Sequence, residues 1–316
     1  MCPSNSKFAI SHHLQEVLCM LGQSVVFSEA SQICNELLQV DVSSTQIQRV
    51  CRFYGSLIDP VVEKNLEEHI PKLQGVLKTD NVYVMVDGSM IFTRPKEWKE
   101  IKLARIFNQR KIVPINAHRK ELMESIYVSH LGGVDKFFPK LERHLVDYKK
   151  KIVIGDGATW IWNWVESNYP GAVQILDFYH AKEKLVIFAN LQFKDEQKRK
   201  SWVKDKAEKL RQDLVEQVLI EIKLIRSKNE KAKEAKEKII KYFTDHSDRM
   251  MYKTYTDQGY LIGSGPIEAA HRNVLQQRMK LSGQKWTIKG ANALANLRCY
   301  RKSGAWNIIR NIIRTA

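Results

Sequence analysis

Two aspartates each follow an apolar, β-branched segment in the first half of the chain. Residues 82–86 lead to Asp87, residues 151–155 lead to Asp156, and a glycine follows each aspartate. Such segments predict strands buried on both faces, and a carboxylate at the end of a buried strand is costly unless something binds it. Asp-Gly is also a common turn pair, so each aspartate alone is equally well explained as a turn cap. Two such positions on one sheet favour a shared carboxylate site.

A third acidic residue stands at the start of a predicted helix. Pro266 suits the first helical position, which puts Glu268 in the first turn. The ordinary interpretation is a favourable interaction with the helix dipole and an ion pair with Arg272. No Asp or Glu follows Glu268, whereas ten Lys and Arg residues do, so this tail holds 10 of the net 16 positive charges. A carboxylate site beside such a tail suits an enzyme that cuts phosphodiesters.

Phosphodiester cleavage defines what these acids would do. The reaction needs an oxygen nucleophile, neutralisation of charge at phosphorus and stabilisation of the leaving oxygen, all of which two divalent ions can supply. Mg²⁺ prefers carboxylate oxygens and water. We therefore predict Asp87, Asp156 and Glu268 as catalytic and metal-binding residues, with two Mg²⁺ or Mn²⁺ ions as cofactors.

The composition indicates a polyanionic partner. The chain has 316 residues, and 51 Lys and Arg against 35 Asp and Glu give a net charge of +16. Nucleic acid is the leading candidate for such a basic protein. The five cysteines form no CxxC pair, which is typical of free thiols in a reducing compartment. No apolar run approaches membrane-span length, so we expect a cytoplasmic protein without a membrane partner.

The order of predicted elements indicates an α/β fold. Strands are expected near residues 82–87, 99–107, 125–130, 151–154 and 172–176, and helices separate the last three. Three antiparallel strands followed by right-handed crossovers give a mixed five-stranded sheet of the RNase H-like kind. A block rich in Lys and Glu and without Gly or Pro then predicts long helices, as an all-helical insertion.

Residues 8–78 are predicted to be helical. Ser43 begins a capping box, and helix, short turn and capped helix are typical of a helix-turn-helix, although an ordinary helical hairpin explains the pattern equally well. The residues expected to face DNA are Gln46, Gln48, Arg49 and Arg52. The predicted domains are an N-terminal helical domain (1–78), a catalytic domain (79–181 and 256–316) and a helical insertion (182–255).

At the three acids the chain also resembles a known family. Val-Asp87-Gly-Ser, Gly-Asp156-Gly-Ala and Gly-Ser-Gly-Pro-Ile-Glu268 resemble the acidic motifs of prokaryotic insertion-sequence DDE transposases, RNase H-like enzymes, and most closely the group related to Mutator-like elements. Asp177-x-x-His180 is similar to a Cys/Asp-x-x-His motif of that group. The resemblance covers about residues 80–303, including a helical insertion between the second Asp and the Glu.

The resemblance implies metal-dependent cleavage and strand transfer at the terminal inverted repeats of a mobile element. Its implied partners are double-stranded DNA, from the element ends and the target, and further copies of the chain assembled on DNA at the nucleoid. It implies that Asp87 bridges both ions and that Asp156 and Glu268 each hold one. Asp177 and His180 would orient the site or touch DNA, although a purely structural pair is equally consistent with the sequence.

Further residues are predicted to support the site or to contact DNA. His271 and Arg272 follow Glu268 and would contact phosphate, and Arg278 and Lys280 lie in the basic tail. Trp202 would stack on a flipped base, although a lone Trp on an amphipathic helix is more often part of a core.

Two other functions share these sequence features. One is an RNase H-like nuclease or resolvase that cuts without joining strands. The other is a catalytically inert DNA-binding protein derived from a transposase. The three acids argue against the second function, and only a joined product separates the first from a transposase.

Overall fold

A five-stranded mixed sheet forms the centre of the α/β fold. The computed structural model describes residues 7–64, 69–77, 79–116 and 119–316. Main-chain hydrogen bonds give the sheet order β5-β2-β1-β6-β7, and β3 and β4 form a separate hairpin. The strands are β1 (Asn81–Thr93), β2 (Glu97–Asn108), β3 (Ile112–Asn116), β4 (Arg119–Leu122), β5 (Ile126–Leu131), β6 (Lys150–Gly155) and β7 (Val173–Leu176).

The prediction of a mixed five-stranded sheet is confirmed. Strand β1 pairs antiparallel with β2 and β2 antiparallel with β5, whereas β6 and β7 are parallel. The narrower assignment to the RNase H-like kind stays a prediction. The chain divides into two compact units, unit 1 within Met1–Lys150 and Ile267–Ala316 and unit 2 within Lys151–Pro266. The three domains expected from the sequence also stay a prediction.

The first strand is longer than the sequence indicated. We expected it to end at Asp87, but β1 continues to Thr93 and pairs with β2 over its whole length, with Asp87 opposite Leu103. The expected position of Asp87 at a strand end is therefore wrong. The Asp-Gly turn signal is overridden because Gly88 and Ser89 pair with Lys102 and Ile101 in the ladder, so tertiary pairing decides the conformation.

Unit 1 contains a helical core beside its strands. Ser43 Oγ accepts a hydrogen bond from the Gln46 amide, which confirms the predicted cap of α3. Residues of the C-terminal helices, among them Leu297 and Trp306, belong to the same buried cluster as Leu18 and Ile47 of the N-terminal helices. The helices of unit 1 include α1 (His12–Ser24), α2 (Phe27–Leu38), α3 (Ser44–Lys64) and α4 (Val134–Glu142).

Unit 2 begins with a crossover between its two parallel strands. A helix joins β6 to β7, and a set of further helices follows, as the Lys- and Glu-rich block predicted. The chain breaks within this block near Leu214, where Asp213 has a φ of 62°. The helices are α5 (Thr159–Asn168), α6 (Phe178–Gln192), α7 (Glu196–Arg211), α8 (Val215–Leu224), α9 (Glu230–His246) and α10 (Tyr252–Asp257).

The chain then returns to unit 1 through one continuous helical segment. It starts as α11 (Gly265–Ala270), widens into a π-helical stretch (His271–Gln276) and ends in the short α12 (Gln277–Met279). Two C-terminal helices follow, α13 (Ile288–Lys302) and α14 (Trp306–Thr315). π-helical turns are rare and often occur at functional sites.

The cysteines and the apolar segments agree with the composition. Cys19, Cys34, Cys51 and Cys299 are buried free thiols, and Cys2 lies outside the described residues. Across the ranges that the structure covers, no helix combines the length and the apolar character needed to span a bilayer.

Unit 1 contains a buried histidine that should make its stability depend on pH. Burial lowers the pKa of His144 to about 4, against 6.5 in an unfolded chain. The folded chain keeps His144 neutral, whereas the unfolded chain takes up a proton below about pH 6.5. The contribution to stability is therefore complete above pH 6.5, falls between pH 6.5 and 4, and then levels off after a loss of about 3 kcal/mol. Urea unfolding at several pH values measures this loss.

His144→Gln is the matched control for that measurement. The variant retains a side-chain donor for the Pro71 carbonyl, which lies 3.3 Å from His144 Nδ1, but it does not titrate in this range. All other titrating groups are shared, so the difference between the two proteins isolates His144. An equal loss of stability in both proteins between pH 6.5 and 4 would contradict the assignment.

Candidate functional site

Asp87 is a partly exposed carboxylate that follows a buried run of residues in β1. The residues Val82 to Val86 that precede it are buried, whereas 25% of the Asp87 side chain is exposed. Its Oδ1 accepts a hydrogen bond of 2.7 Å from the Gly88 amide. The main chain thus orients one carboxylate oxygen, and part of the side chain is open to solvent.

The helical segment that begins with α11 reaches Asp87 through His271. Nε2 of His271 lies 3.2 Å from Oδ2 of Asp87, and only 3% of the His271 side chain is exposed. The two atoms are close, but their directions do not make a hydrogen bond. Glu268 lies three residues before His271 in the same helical segment, so both occupy one helix face. Glu268 itself is exposed.

In unit 2, Asp156 follows β6 directly, as predicted. Its Oδ1 accepts a hydrogen bond of 3.0 Å from the Ala158 amide, and its carbonyl accepts one of 2.9 Å from Trp162 Nε1. The first contact is the local turn cap that the sequence also allowed. The Ala158 amide binds one carboxylate oxygen. Together with the Trp162 contact to the main chain, it stabilises the turn at the N-terminus of α5.

Asp177 and His180 form the pair that their spacing suggested. Asp177 caps α6 by accepting a 2.7 Å hydrogen bond from the Tyr179 amide, and its Oδ2 lies 2.9 Å from His180 Nδ1. The hydroxyl of Ser264 donates to the same oxygen. Burial would raise the pKa of Asp177, but the hydrogen bonds from His180, Ser264 and Tyr179 outweigh it and lower the pKa.

The sequence did not indicate a role for three further residues, namely Tyr242, His246 and Ser264. A Cβ placed on Gly157 would collide with the rings of Tyr242 and His246, so α9 packs closely against the turn after Asp156. Burial, and then the charge of Asp156, raise the pKa of Tyr242. Ser264 is the third missed residue. Its place in Gly-Ser-Gly-Pro resembles a simple helix start, and no sequence pattern connects it to Asp177.

The basic tail divides into exposed and buried members. Arg272 and Lys280 are exposed, and their contact with DNA stays a prediction. Arg278, which was predicted to support the site or to contact DNA, is 1% exposed, and its Nε donates a 3.0 Å hydrogen bond to the Gly22 carbonyl. Two aromatic rings, those of Phe27 and Trp286, pack against its guanidinium, and its role stays a prediction.

Trp202 packs within the helices of unit 2. Its ring centroid lies 5.4 Å from that of Phe188 and 5.8 Å from that of Phe193, and the side chain is half-buried. This environment agrees with the alternative of a core tryptophan rather than with a free stacking platform.

The predicted DNA-facing residues of α3 lie mostly on its open side. Gln48, Arg49 and Arg52 are exposed, and Gln46 is half-buried. Ile47 and Val50, between them, are buried in the helical core. The helix thus turns an apolar face inward and a polar, basic face outward, which both a helix-turn-helix and a plain helical hairpin require.

The chemistry of the acids fits a hard divalent ion, but no cluster is already assembled. Carboxylate oxygens are the ligands that Mg²⁺ and Mn²⁺ prefer, and Asp87 and Glu268 both have exposed surface. Among the described residues, no three His, Cys, Asp or Glu side chains lie close enough together to hold a metal ion. The donor types fit the expected cofactor.

Fold and site together define a mixed α/β protein with one aspartate on β1, a second directly after β6 and a basic C-terminal segment. The chain belongs to the uncharacterised protein family UPF0236, which matches residues 21–311. A search of curated proteins finds no match. The family has no described activity, so the function is a matter for proposal.

Proposed function

We propose that the chain is a DNA transposase that cleaves and joins the ends of a mobile element, with Asp87, Asp156 and Glu268 as its essential acids. One observation carries the proposal. The helical segment that contains Glu268 meets β1 where His271 contacts Asp87, so two acidic motifs far apart in sequence occupy adjoining elements.

The expected cofactors are two Mg²⁺ or Mn²⁺ ions, which Asp87, Asp156 and Glu268 would hold. When bound, such ions activate an oxygen nucleophile and neutralise charge at the phosphorus. Carboxylates on separate elements suit this role, because each contributes negative charge from a different direction.

The remaining residues of the site position the acids and the DNA. The Gly88 amide fixes one oxygen of Asp87, and His271 lies against the other, so the carboxylate has little rotational freedom. Exposed Arg272 and Lys280 provide positive charge next to Glu268 for DNA phosphates. Asp177 contacts both His180 and Ser264 through one carboxylate oxygen, and it caps the start of α6. This arrangement favours a role in positioning the site over direct contact with DNA.

The proposed partners are duplex DNA and further copies of the chain. A net charge of +16 supports a nucleic-acid partner, and the exposed face of α3 with Gln48, Arg49 and Arg52 supports binding of the element's inverted repeats. Target DNA is the second duplex, and assembly of several copies on DNA and association with the nucleoid follow from the proposed reaction.

The test is metal-dependent cleavage and joining of DNA ends taken from the flanks of the coding region. We expect nicked and joined products with Mg²⁺ or Mn²⁺, and neither product in Asp156→Asn, because the substitution removes the carboxylate charge but keeps the shape. Denaturing gels with a labelled strand measure both products.

The other outcomes decide between the alternatives. Cleavage without a joined product would favour an RNase H-like nuclease, and DNA binding without cleavage would favour an inert relative of a transposase. Glu237→Gln is the matched control, because Glu237 is an exposed acid on α9 that has no part in the site. Equal activity of Asp156→Asn and the wild type would exclude Asp156 from the chemistry.

A further inference from the structure

We propose that unit 1 contains a second site, a cavity that binds a phosphate group of DNA and that none of the three acids lines. The cavity has a volume of about 420 Å³ and lies between α2, α3 and the segment that leads into α13. We call it the arginine cavity. Its charged lining residues are Arg52, Arg94, Arg278 and Lys285. Only the assignment of the phosphate to DNA rests on the proposed function; the binding of a phosphate in this cavity does not.

The charge of the arginine cavity favours an anion. Four of its fourteen lining residues are basic, and none is acidic. Arg52, Arg94 and Lys285 are exposed at its rim, so their side chains can adjust to a ligand. Like charges in one partly enclosed space repel each other and raise the local potential, which an anion relieves.

Arg278 provides a donor that has no acceptor. Its Nη2 is buried and, within the described part of the chain, makes no hydrogen bond. The guanidinium lies 4.7 Å from the Phe27 ring centroid and 5.5 Å from that of Trp286, so the rings hold its plane in place. A buried charged donor without a partner is costly, and a phosphate oxygen in the cavity would satisfy it.

The start of α2 adds main-chain donors to the same space. Val26 is the N-cap residue and offers no side-chain acceptor, and both Val26 and Phe27 line the cavity. The N-cap side chain thus makes no hydrogen bond to the first amides of this 12-residue helix, and the helix dipole favours negative charge there. Together with Arg278, these amides make a site for a group with several acceptor oxygens.

The source of the phosphate follows from α3. Gln48 and Arg52, two of its exposed polar residues, line the arginine cavity. A DNA duplex lying along α3 would bring a backbone phosphate to the cavity rim, and such contacts set the register of a protein on DNA. We therefore assign the cavity to a DNA backbone phosphate rather than to a free anion.

Main-chain hydrogen bonds join the rim of the cavity at Trp286 to the end of β1. The Trp286 amide donates to the Phe92 carbonyl at 3.0 Å, and the Arg94 amide donates to the Trp286 carbonyl at 2.8 Å. Trp286 Nε1 also donates to the Met279 carbonyl at 2.9 Å. Arg94 and Lys285 therefore start from fixed backbone positions, which makes them suitable for substitution.

The experiment measures DNA affinity of the full chain as a function of salt, without divalent metal. We expect Arg94→Gln with Lys285→Gln to weaken binding of a labelled duplex about tenfold and to reduce the salt slope by about 1 to 2, since each phosphate contact contributes about 0.9. Lys289→Gln is the matched control, because Lys289 is exposed nearby but does not line the cavity. An equal effect of the control would overturn the proposal.

A second measurement uses inorganic phosphate and distinguishes the two sources. Phosphate should raise the melting temperature of the wild type more than chloride at equal ionic strength, and this shift should be lost in the double variant. Stabilisation by phosphate with unchanged DNA affinity in the double variant would overturn the assignment to DNA. Absence of both effects would overturn the cavity as a site. Neither assay requires cleavage, so failure of the proposed catalysis is seen separately.

Discussion

Replacing Asp87 by Asn is expected to abolish metal-dependent cleavage while DNA binding persists. The substitution keeps the size of the side chain and its contact with the Gly88 amide, but removes the negative charge that would hold a divalent ion. Loss of a partner that merely orients a metal ligand costs about 10- to 100-fold, so loss of the ligand itself should exceed that. Gel assays of strand cleavage and fluorescence anisotropy of labelled DNA measure the two properties separately.

A graded comparison strengthens this prediction. His271→Asn should reduce cleavage by about 10- to 100-fold, because His271 positions Asp87 without itself holding a metal. Glu237→Gln should have no effect. If Asp87→Asn retains cleavage within tenfold of the wild type, Asp87 is not a metal ligand and the proposed chemistry fails. If His271→Asn has a larger effect than Asp87→Asn, the histidine contributes more than orientation.

The sequence predicted those parts of the fold that depend on short-range patterns. The β-branched segments before Asp87 and Asp156 lie in strands, and Ser43 caps α3 as its spacing indicated. The contact between Asp177 and His180 also follows from a three-residue spacing on one helix. In each case the interacting groups are close in sequence, so local geometry alone brings them together.

Contacts between distant segments could not be predicted in the same way. The approach of His271 to Asp87 depends on how a helix packs against β1, for which a single sequence contains no period or motif. The end of α7 near Asp213 is a similar case. The Asp213 carboxylate accepts hydrogen bonds from the Lys253 and Thr254 amides of α10, so a helix distant in sequence stabilises the break.

The basic tail shows why charge alone is an incomplete guide to a surface. Arginine is usually exposed, and the sequence alone does not separate the basic residues of the tail into exposed and buried members. Arg278 and Arg298 are buried, because carbonyl groups and aromatic rings are available to their guanidinium groups inside the fold. Arg272 and Lys280 are exposed and are the members that the proposed function places against DNA phosphates.

Replacing Arg298 by Met is expected to destabilise unit 1 strongly. Arg298 is 3% exposed, and it donates to the Val274 carbonyl, to the Asn273 carbonyl at 2.6 Å and to the Gln23 carbonyl of α1. A π-helical stretch and a helix end both leave main-chain carbonyls without their usual partners. Methionine fills similar space but leaves these buried acceptors unpaired, so we expect a loss of about 3–5 kcal/mol.

Thermal or urea unfolding of the full chain measures this loss, and Arg301→Met is the matched control. Arg301 lies one turn further along α13 and is exposed, so its replacement should change stability by no more than about 0.5 kcal/mol. The melting temperature of Arg298→Met should fall by roughly 6 °C or more. Since π-helical residues 271–276 include His271, the same variant should also disturb the contact with Asp87 and reduce cleavage below the melting temperature. Equal melting temperatures for the two variants would mean that solvent replaces the lost donors, and that Arg298 does not hold the π-helical stretch in place.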